Sequence, residues 1–303
     1  MIHITFPDSS VKEYEKGISP REIAKSISQR LGKEALGALV DGQPWDLTRP
    51  LEADCTLQIL TWNDPQGREV YRHSSTHLMA QAVKALYPDA KLTVGPALED
   101  RYYYDIDMEP ISESDFEKIE AKMAEFAKAN LPIEREELSR EEAKVLFEGD
   151  QYKLELLNDI PEGETVTIYR QGNWFDLCRG PHLPSTGYIK SVKMLSVAGA
   201  YWRGDANNAQ LQRLYGTSFP SKNELDQFLE LLEEAKKRDH RKLGRELGLF
   251  ILSQDVGVGL PIWLPKGATL RKTLEDFIRI IQNFRPHDGL RRFDVSGDEG
   301  RER

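Results

Sequence analysis

The sequence predicts an α+β protein with more than one domain. Its 303 residues are enough for two or three domains. Hydrophobic residues make up 39% and charged residues 30%, which is typical of a globular chain rather than a disordered one. Stretches of alternating polarity and stretches of helical periodicity are mixed along the chain, which indicates an α+β architecture.

The first 62 residues predict a small β-grasp module. Two strands are expected in "IHITF" and "VKEYEKG", and a closing strand is expected in "TLQILTW". The segment "SPREIAKSISQRLG" predicts one helix with Ser19 as its N-cap, Glu22 completing a capping box and Gly32 as its end. A hairpin is expected around Asp41-Gly42. Strands with one helix in about 60 residues favour the β-grasp topology.

Residues 63–220 predict a second α+β domain. It is expected to begin with a linker at 63–67 and a helix at 71–87. Further helices are predicted from Ser112, from Ser139 and in "YKLELLNDI", and strands in "KLTVGPALEDRYYYDID" and "ETVTIYRQGNWFDLC". Cys178 falls where the last of these strands ends, and strand exits are common positions for reactive groups.

The rest of the chain predicts a linker helix and a third unit. Ser221 and Glu224 form a capping box at the start of the helix expected over 221–243, which carries the basic cluster "KKRDHRKLGR". Residues 244–303 form the third unit. Its last 21 residues lose all periodicity and are mostly charged.

Composition limits the classes of function. Two cysteines cannot form a disulfide framework, and the N-terminus has no charged-then-apolar leader, so we expect reduced thiols and a cytoplasmic location. No apolar run approaches the roughly 20 residues of a membrane span, so no membrane partner is expected. The net charge of −9 argues against a general nucleic-acid coat but allows a local basic patch. The sequence does not predict an oligomeric state.

Two pairs of residues are candidates for chemistry. His73 and His77 are four apart on the predicted helix, and Cys178 and His182 are four apart in "FDLCRGPHLP". Together they could bind zinc, or could activate water without a metal. They could also be unrelated: two solvated histidines, a packed thiol and a loop residue. If a serine at 74 or 75 is the N-cap, His73 lies just outside the helix.

Four segments of the chain carry a family resemblance: "RHSSTHLMAQAVKALYP", "FDLCRGPHLPSTG", "AGAYWRGD" and "LQRLYGTSFPSK". They resemble, in the same order, signature motifs of bacterial-type threonyl-tRNA synthetases. The first module resembles the family's TGS domain, which is a β-grasp, and the resemblance covers about residues 1–282. Four motifs in one order and with matching spacing make this a specific signal.

The resemblance implies that residues 63–220 form a tRNA editing domain. Its substrate would be threonine tRNA mischarged with serine, because a threonine site discriminates poorly against a smaller amino acid. The implied catalytic residues are His73, His77, Cys178 and His182, and the implied substrate-binding residues are Lys153, Asp176 and Tyr104. We expect His73 as the base, Cys178 and His182 as orienting groups, Lys153 opposite developing negative charge, and Asp176 at the substrate amino group.

The resemblance also implies the cofactors. Editing in the family is described without a required metal, whereas related alanyl-type editing proteins use zinc on the same pattern, so the resemblance leaves open a zinc ion at His73, His77, Cys178 and His182. ATP and magnesium belong to aminoacylation in the full-length enzyme, which is about twice this length.

The sequence departs from the family in its last part. Residues 241–282 resemble only the entry to a class II catalytic domain, so 244–303 is expected to be an incomplete start with an unmatched tail and the aminoacylation site largely missing. A frameshift, a truncation or a genuinely short protein would explain this. The alternatives to an editing hydrolase are a non-catalytic tRNA-binding module and an inert gene fragment.

Overall fold

A computed structural model describes residues 1–253, 256–257 and 259–284. Of the charged tail predicted over 283–303, residues 285–303 lie outside the described residues. The chain forms two compact units, Met1–Gln227 and a second that begins at Phe228. Among the described residues, no helix is both long and apolar enough to cross a lipid bilayer.

The N-terminal module is a five-stranded β-grasp, as the sequence predicts. Its elements are β1 (Ile2–Thr5), β2 (Val11–Tyr14), α1 (Pro20–Ile27), α2 (Gln29–Glu34), β3 (Gly37–Val40), β4 (Gln43–Trp45) and β5 (Cys55–Leu60). The sheet order is β2-β1-β5-β3-β4, with β1 and β5 parallel and the other pairs antiparallel. Asp41 and Gly42 form the predicted hairpin turn, with φ of 50° and 77°.

The prediction of a single helix that ends at Gly32 is wrong. The Ser19–Glu22 capping box starts α1 as expected, but the chain becomes extended at Ser28, which caps α2 by accepting a hydrogen bond from the Leu31 amide at 3.0 Å. Gly32 lies inside α2, where a Cβ would come within 2.5 Å of a side-chain carbon of α1. Gly32 therefore permits close packing of two short helices instead of ending one.

The following part of the first unit has two antiparallel sheets and four α-helices among the described residues. Its elements are α3 (Pro65–Leu86), β6 (Lys91–Leu92), β7 (Tyr102–Asp107), α4 (Phe116–Ala129), β8 (Ile133–Leu138), α5 (Arg140–Leu146), α6 (Gln151–Asp159), β9 (Val166–Gln171), β10 (Trp174–Leu177), β11 (Ser191–Tyr201) and β12 (Gln210–Phe219). The sheet orders are β11-β12-β7-β6 and β10-β9-β8. Helices α3 and α4 pack against each other and on the four-stranded sheet, and their apolar faces make its core.

Two features of this region differ from the sequence prediction. The linker expected at 63–67 is wrong, because Pro65 begins α3 and Asp64 is its N-cap. Strands β8, β11 and β12 were not predicted at all. The capping box at Ser139 and the two-strand unit of β9 and β10 are present as predicted.

The C-terminal elements begin with the predicted capping box. Ser221 Oγ donates to Glu224 and accepts from its amide, which starts α7 (Lys222–Lys237). The linker helix predicted over 221–243 is broken, because Asp239 caps a separate α8 (His240–Glu246) with its carboxylate. The remaining elements are β13 (Phe250–Leu252), β14 (Pro261–Trp263) and α9 (Pro265–Phe284). The predicted domain limits stay predictions.

Candidate active site

Helix α3 carries the first histidine pair on one face. His73 and His77 lie one turn apart in its middle, with ring centroids 5.2 Å apart. Ser74 and Ser75 are not N-caps, because each hydroxyl donates to the carbonyl four residues earlier at 2.9 Å. The alternative that His73 lies outside the helix is therefore wrong.

The exit of β10 carries the second pair. The Cys178 amide continues the strand pairing by donating to the Thr167 carbonyl at 3.1 Å, and the chain then turns at Gly180. Gly180 has φ of 72°, and a Cβ there would lie 1.9 Å from the Tyr169 hydroxyl. Only glycine fits this turn, which brings His182 back towards Cys178.

The structure brings all four residues together. Cys178 Sγ lies 3.2 Å from His73 Nε2 and 3.3 Å from His182 Nε2. One ligand atom from each of the four, including His77, lies within 4.8 Å of the others. His77 and His182 are buried, whereas His73 and Cys178 are partly exposed, so the cluster opens to solvent on one side.

Hydrogen bonds define which ring nitrogens carry a proton. Ser74 Oγ donates to the Val70 carbonyl, so it can only accept from His182 Nδ1, which lies 3.2 Å away. His73 donates from its ring to the Pro181 carbonyl. In this assignment the Nε2 atoms of both histidines carry free lone pairs that face the same sulfur.

Burial keeps the cluster neutral. It lowers the pKa of His73 to about 4 and lowers the pKa of His77 and of His182 well below the usual histidine range. Burial also raises the pKa of the Cys178 thiol to about 12. At pH 7 the imidazoles are therefore unprotonated bases and the sulfur is a thiol, which is not the reactive form of a cysteine nucleophile.

A buried ion pair lies beside the cluster. Lys153 Nζ is 2.5 Å from Asp176 Oδ1, and each side chain is only 3% exposed. The same ammonium donates to the Thr93 carbonyl at 2.8 Å and to the Tyr104 hydroxyl at 3.2 Å. Tyr104 in turn donates to Asp176 Oδ2 at 2.5 Å. All three protons of Lys153 are thus engaged, and the three predicted substrate-binding residues form one network.

The sequence reasoning missed the residues that hold this arrangement. Ser74 was considered only as a helix cap, yet its hydroxyl joins α3 to the 182–183 backbone by accepting from the Leu183 amide at 2.9 Å. Asp46 of the β-grasp module was not considered, yet its carboxylate accepts from the His182 amide at 2.8 Å. The run "SST" in mid-helix was a signal for the first, whereas nothing local marks the second.

The donor set fits a zinc ion. Zinc prefers thiolate and neutral imidazole, and a tetrahedral site would separate sulfur and nitrogen ligands by about 3.5 Å, close to the separations observed around Cys178. His77 Nδ1 is buried without a hydrogen-bond partner, which leaves one more donor uncommitted. The residues that would hold the ion are His73, Cys178 and His182, with His77 beside them. A bound zinc would act as a Lewis acid and lower the pKa of a coordinated water.

Two separate parts of the chain match known protein families. Residues 2–61 match the TGS domain family, and residues 166–215 match the family described as "Threonyl and Alanyl tRNA synthetase second additional domain". A threonine–tRNA ligase of Anoxybacillus flavithermus is 56% identical over 281 residues, which is 92% of this chain and 44% of that protein. The chain belongs to the threonine–tRNA ligase family.

Other relatives agree on the extent of the similarity. Threonine–tRNA ligases of Parabacteroides distasonis and Symbiobacterium thermophilum are 53% and 54% identical over 286 and 291 residues. These matches cover 93% and 95% of this chain and 44% of each relative. The chain thus corresponds to the N-terminal part of a threonine–tRNA ligase, and its candidate active site lies in and beside the second additional domain.

Proposed function

We propose that this chain is an editing hydrolase that removes serine from threonine tRNA. The observation that carries the proposal is the convergence of two lone-pair nitrogens and one thiol, open to solvent on one side, beside a buried ion pair. The similarity to threonine–tRNA ligases supports tRNA as the partner. A non-catalytic RNA-binding module has no use for unprotonated imidazoles gathered in this way.

The proposed reaction is hydrolysis of the aminoacyl ester. A water on the open side of the cluster, next to His73 and Cys178, loses a proton to His73 Nε2, and its oxygen attacks the ester carbonyl carbon. The bond from that carbon to the ribose oxygen then breaks, and the proton passes from His73 to the ribose oxygen. The products are free serine and uncharged tRNA. General-base help of this kind typically contributes about 10²–10⁴-fold.

The protonation states favour water over sulfur as the nucleophile. Because the pKa of Cys178 is raised to about 12, only a trace of thiolate is present at neutral pH. The unprotonated His73 can accept a proton at the same pH. Cys178 and His182 are therefore assigned to orienting the water or the ribose hydroxyl.

The ion pair is assigned to substrate recognition. Asp176 can attract the substrate's ammonium group, since its negative charge acts on His73 of the cluster and it lies two residues before Cys178 in β10. Lys153 can stabilise the developing oxyanion only after it exchanges one of its three present partners, of which the Thr93 carbonyl is uncharged. Binding of an ester carbonyl in place of that contact is thus part of the proposal.

The test is a deacylation assay with threonine tRNA charged with serine or with threonine. We expect faster release of serine than the spontaneous rate, with threonine largely spared. Cys178→Ala should lower this rate about 100-fold, because the attacking water loses a group that orients it. Cys55→Ala is the matched control, because Cys55 lies in β5 of the β-grasp module, outside the cluster. A folded wild-type chain that releases serine only at the spontaneous rate would refute the proposal.

A further inference from the structure

A carboxylate from the β-grasp module reaches into the candidate active site. Asp46 follows β4 and is only 6% exposed. Its Oδ1 accepts from the His182 amide at 2.8 Å, and its Oδ2 accepts from the Tyr169 hydroxyl at 2.8 Å. Both partners belong to the region that carries the cluster, more than 120 residues further along the chain.

Two backbone hydrogen bonds fix the position of the loop between Cys178 and Leu183. The His182 amide is held by Asp46, and the next amide is held by Ser74 of α3. The Tyr169 ring packs on the His182 imidazole with centroids 4.4 Å apart. The loop is thus anchored to α3 through Ser74 and to the β-grasp module through Asp46.

Charged side chains surround this carboxylate at the junction. Arg49 of the β-grasp module stacks on Trp45 at 3.6 Å and lies 3.9 Å from Glu137 of β8. Arg135 of β8 binds the same glutamate. Both guanidinium groups act favourably on the Asp46 carboxylate. Burial nevertheless outweighs these contributions and raises the pKa of the Asp46 carboxyl above its usual value, and the His182 amide, the Tyr169 hydroxyl and the two guanidinium groups only partly offset this.

We infer that Asp46 is a positioning residue of the candidate active site, so that the β-grasp module completes that site. Both of its carboxylate oxygens accept from protein donors, so it acts by fixing His182 and, through the loop, Cys178. Its effect on catalysis rests on the proposed editing function, whereas its effect on the loop does not. The test is therefore built with two independent readouts.

The first readout is the alkylation rate of Cys178 by iodoacetamide in a Cys55→Ser background, where Cys178 is the only thiol. Loss of a buried acceptor should favour loop opening, so Asp46→Ala should raise the rate by about 5- to 100-fold. Asp46→Asn retains an oxygen for the His182 amide and should stay within about twofold of the parent. Asp54→Ala is the matched control, because Asp54 accepts from the His3 amide at 2.8 Å within the same module.

The second readout is deacylation of serine-charged threonine tRNA. Asp46→Ala should lower kcat about 10- to 100-fold with little change in KM, since misplacement of a catalytic group slows chemistry and spares binding. Asp46→Asn should restore the rate, and Asp54→Ala should leave it unchanged. If no variant, parent included, releases serine, the proposed function fails while the alkylation result stands by itself.

Three results would overturn the inference. One is an unchanged alkylation rate in folded Asp46→Ala, and another is equal effects of Asp46→Ala and Asp54→Ala. The third is a faster alkylation rate without any loss of kcat in an active enzyme. If Asp46→Ala does not fold, Tyr169→Phe removes one of the two contacts and keeps the ring on His182. It should raise the alkylation rate by an intermediate factor, and an unchanged rate in that variant would count against the inference equally.

Discussion

Replacing Lys153 by methionine removes the positive partner of an almost fully buried carboxylate. Methionine has a similar length and no charge, so packing is largely retained. Asp176 would keep its contacts with the Tyr104 hydroxyl and the Leu177 amide but would lose the ammonium at 2.5 Å. The variant therefore isolates the cost of an uncompensated buried charge.

The structure allows the size of this effect to be worked out. Removing one partner of a buried ion pair typically costs about 3–5 kcal/mol, and the 3% exposure of both side chains places this pair in that class. For a folded region of 150–250 residues, each kcal/mol lowers Tm by about 2–4 °C. We therefore expect Lys153→Met to lower Tm by about 6–20 °C.

Thermal unfolding followed by circular dichroism measures this shift. Lys122→Met is the matched control, because Lys122 pairs with Glu125 at 2.6 Å on the exposed surface of α4, where an ion pair contributes at most about 1 kcal/mol. The double variant Lys153→Met/Asp176→Asn should recover more than half of the lost Tm, because no buried charge remains. A shift no larger than that of the control would refute the assignment of a buried, paired charge.

Three further outcomes are expected. Folding lowers the pKa of His73 to about 4 and also lowers the pKa of His77 and of His182, so the unfolded chain binds more protons as pH falls from 6.5 towards 4. Stability in urea should therefore fall as pH drops through this window, with up to about 1.4 kcal/mol per pH unit from His73 alone, and equal stability at pH 7 and 5 would contradict this. Gly180→Ala should lower the free energy of unfolding more than Gly163→Ala, because both glycines have positive φ but only a Cβ at residue 180 would clash with Tyr169. Of these two variants, only Gly180→Ala should slow deacylation. Chelators should leave deacylation unchanged; metal analysis that finds one zinc per chain, lost together with activity, would contradict this.

Local signals predicted the parts of the fold that local physics determines. The hairpin at Asp41-Gly42 and the capping box at Ser139 follow from the conformational preferences of a few neighbouring residues, and both are present. The end of α1 was misplaced because Gly32 has a packing role that only the facing helix reveals. Strands β11 and β12 were missed because neither shows a simple alternation of buried and exposed residues.

The candidate site also combines features that the sequence reveals with contacts that it does not. The four-residue spacings of its two pairs are visible in the sequence, and the structure joins them across 105 residues at the contact of His73 with Cys178. The supporting contacts have no such pattern. Asp46 meets the His182 amide across 136 residues, and this pairing depends on how two modules pack. Long-range placement of a single carboxylate leaves no periodic or motif signal.

The short connection between β5 and α3 should resist cleavage by proteases. Asp64 binds the Thr61 amide and hydroxyl at 2.7 and 3.0 Å, and Gly67 lies so close to the Thr61 carbonyl that a Cβ would be 1.9 Å away. Proteases need an extended, accessible segment of several residues, which this tied turn does not offer. Brief digestion should therefore leave the β-grasp module and α3 in one fragment, with no early cut at 61–67.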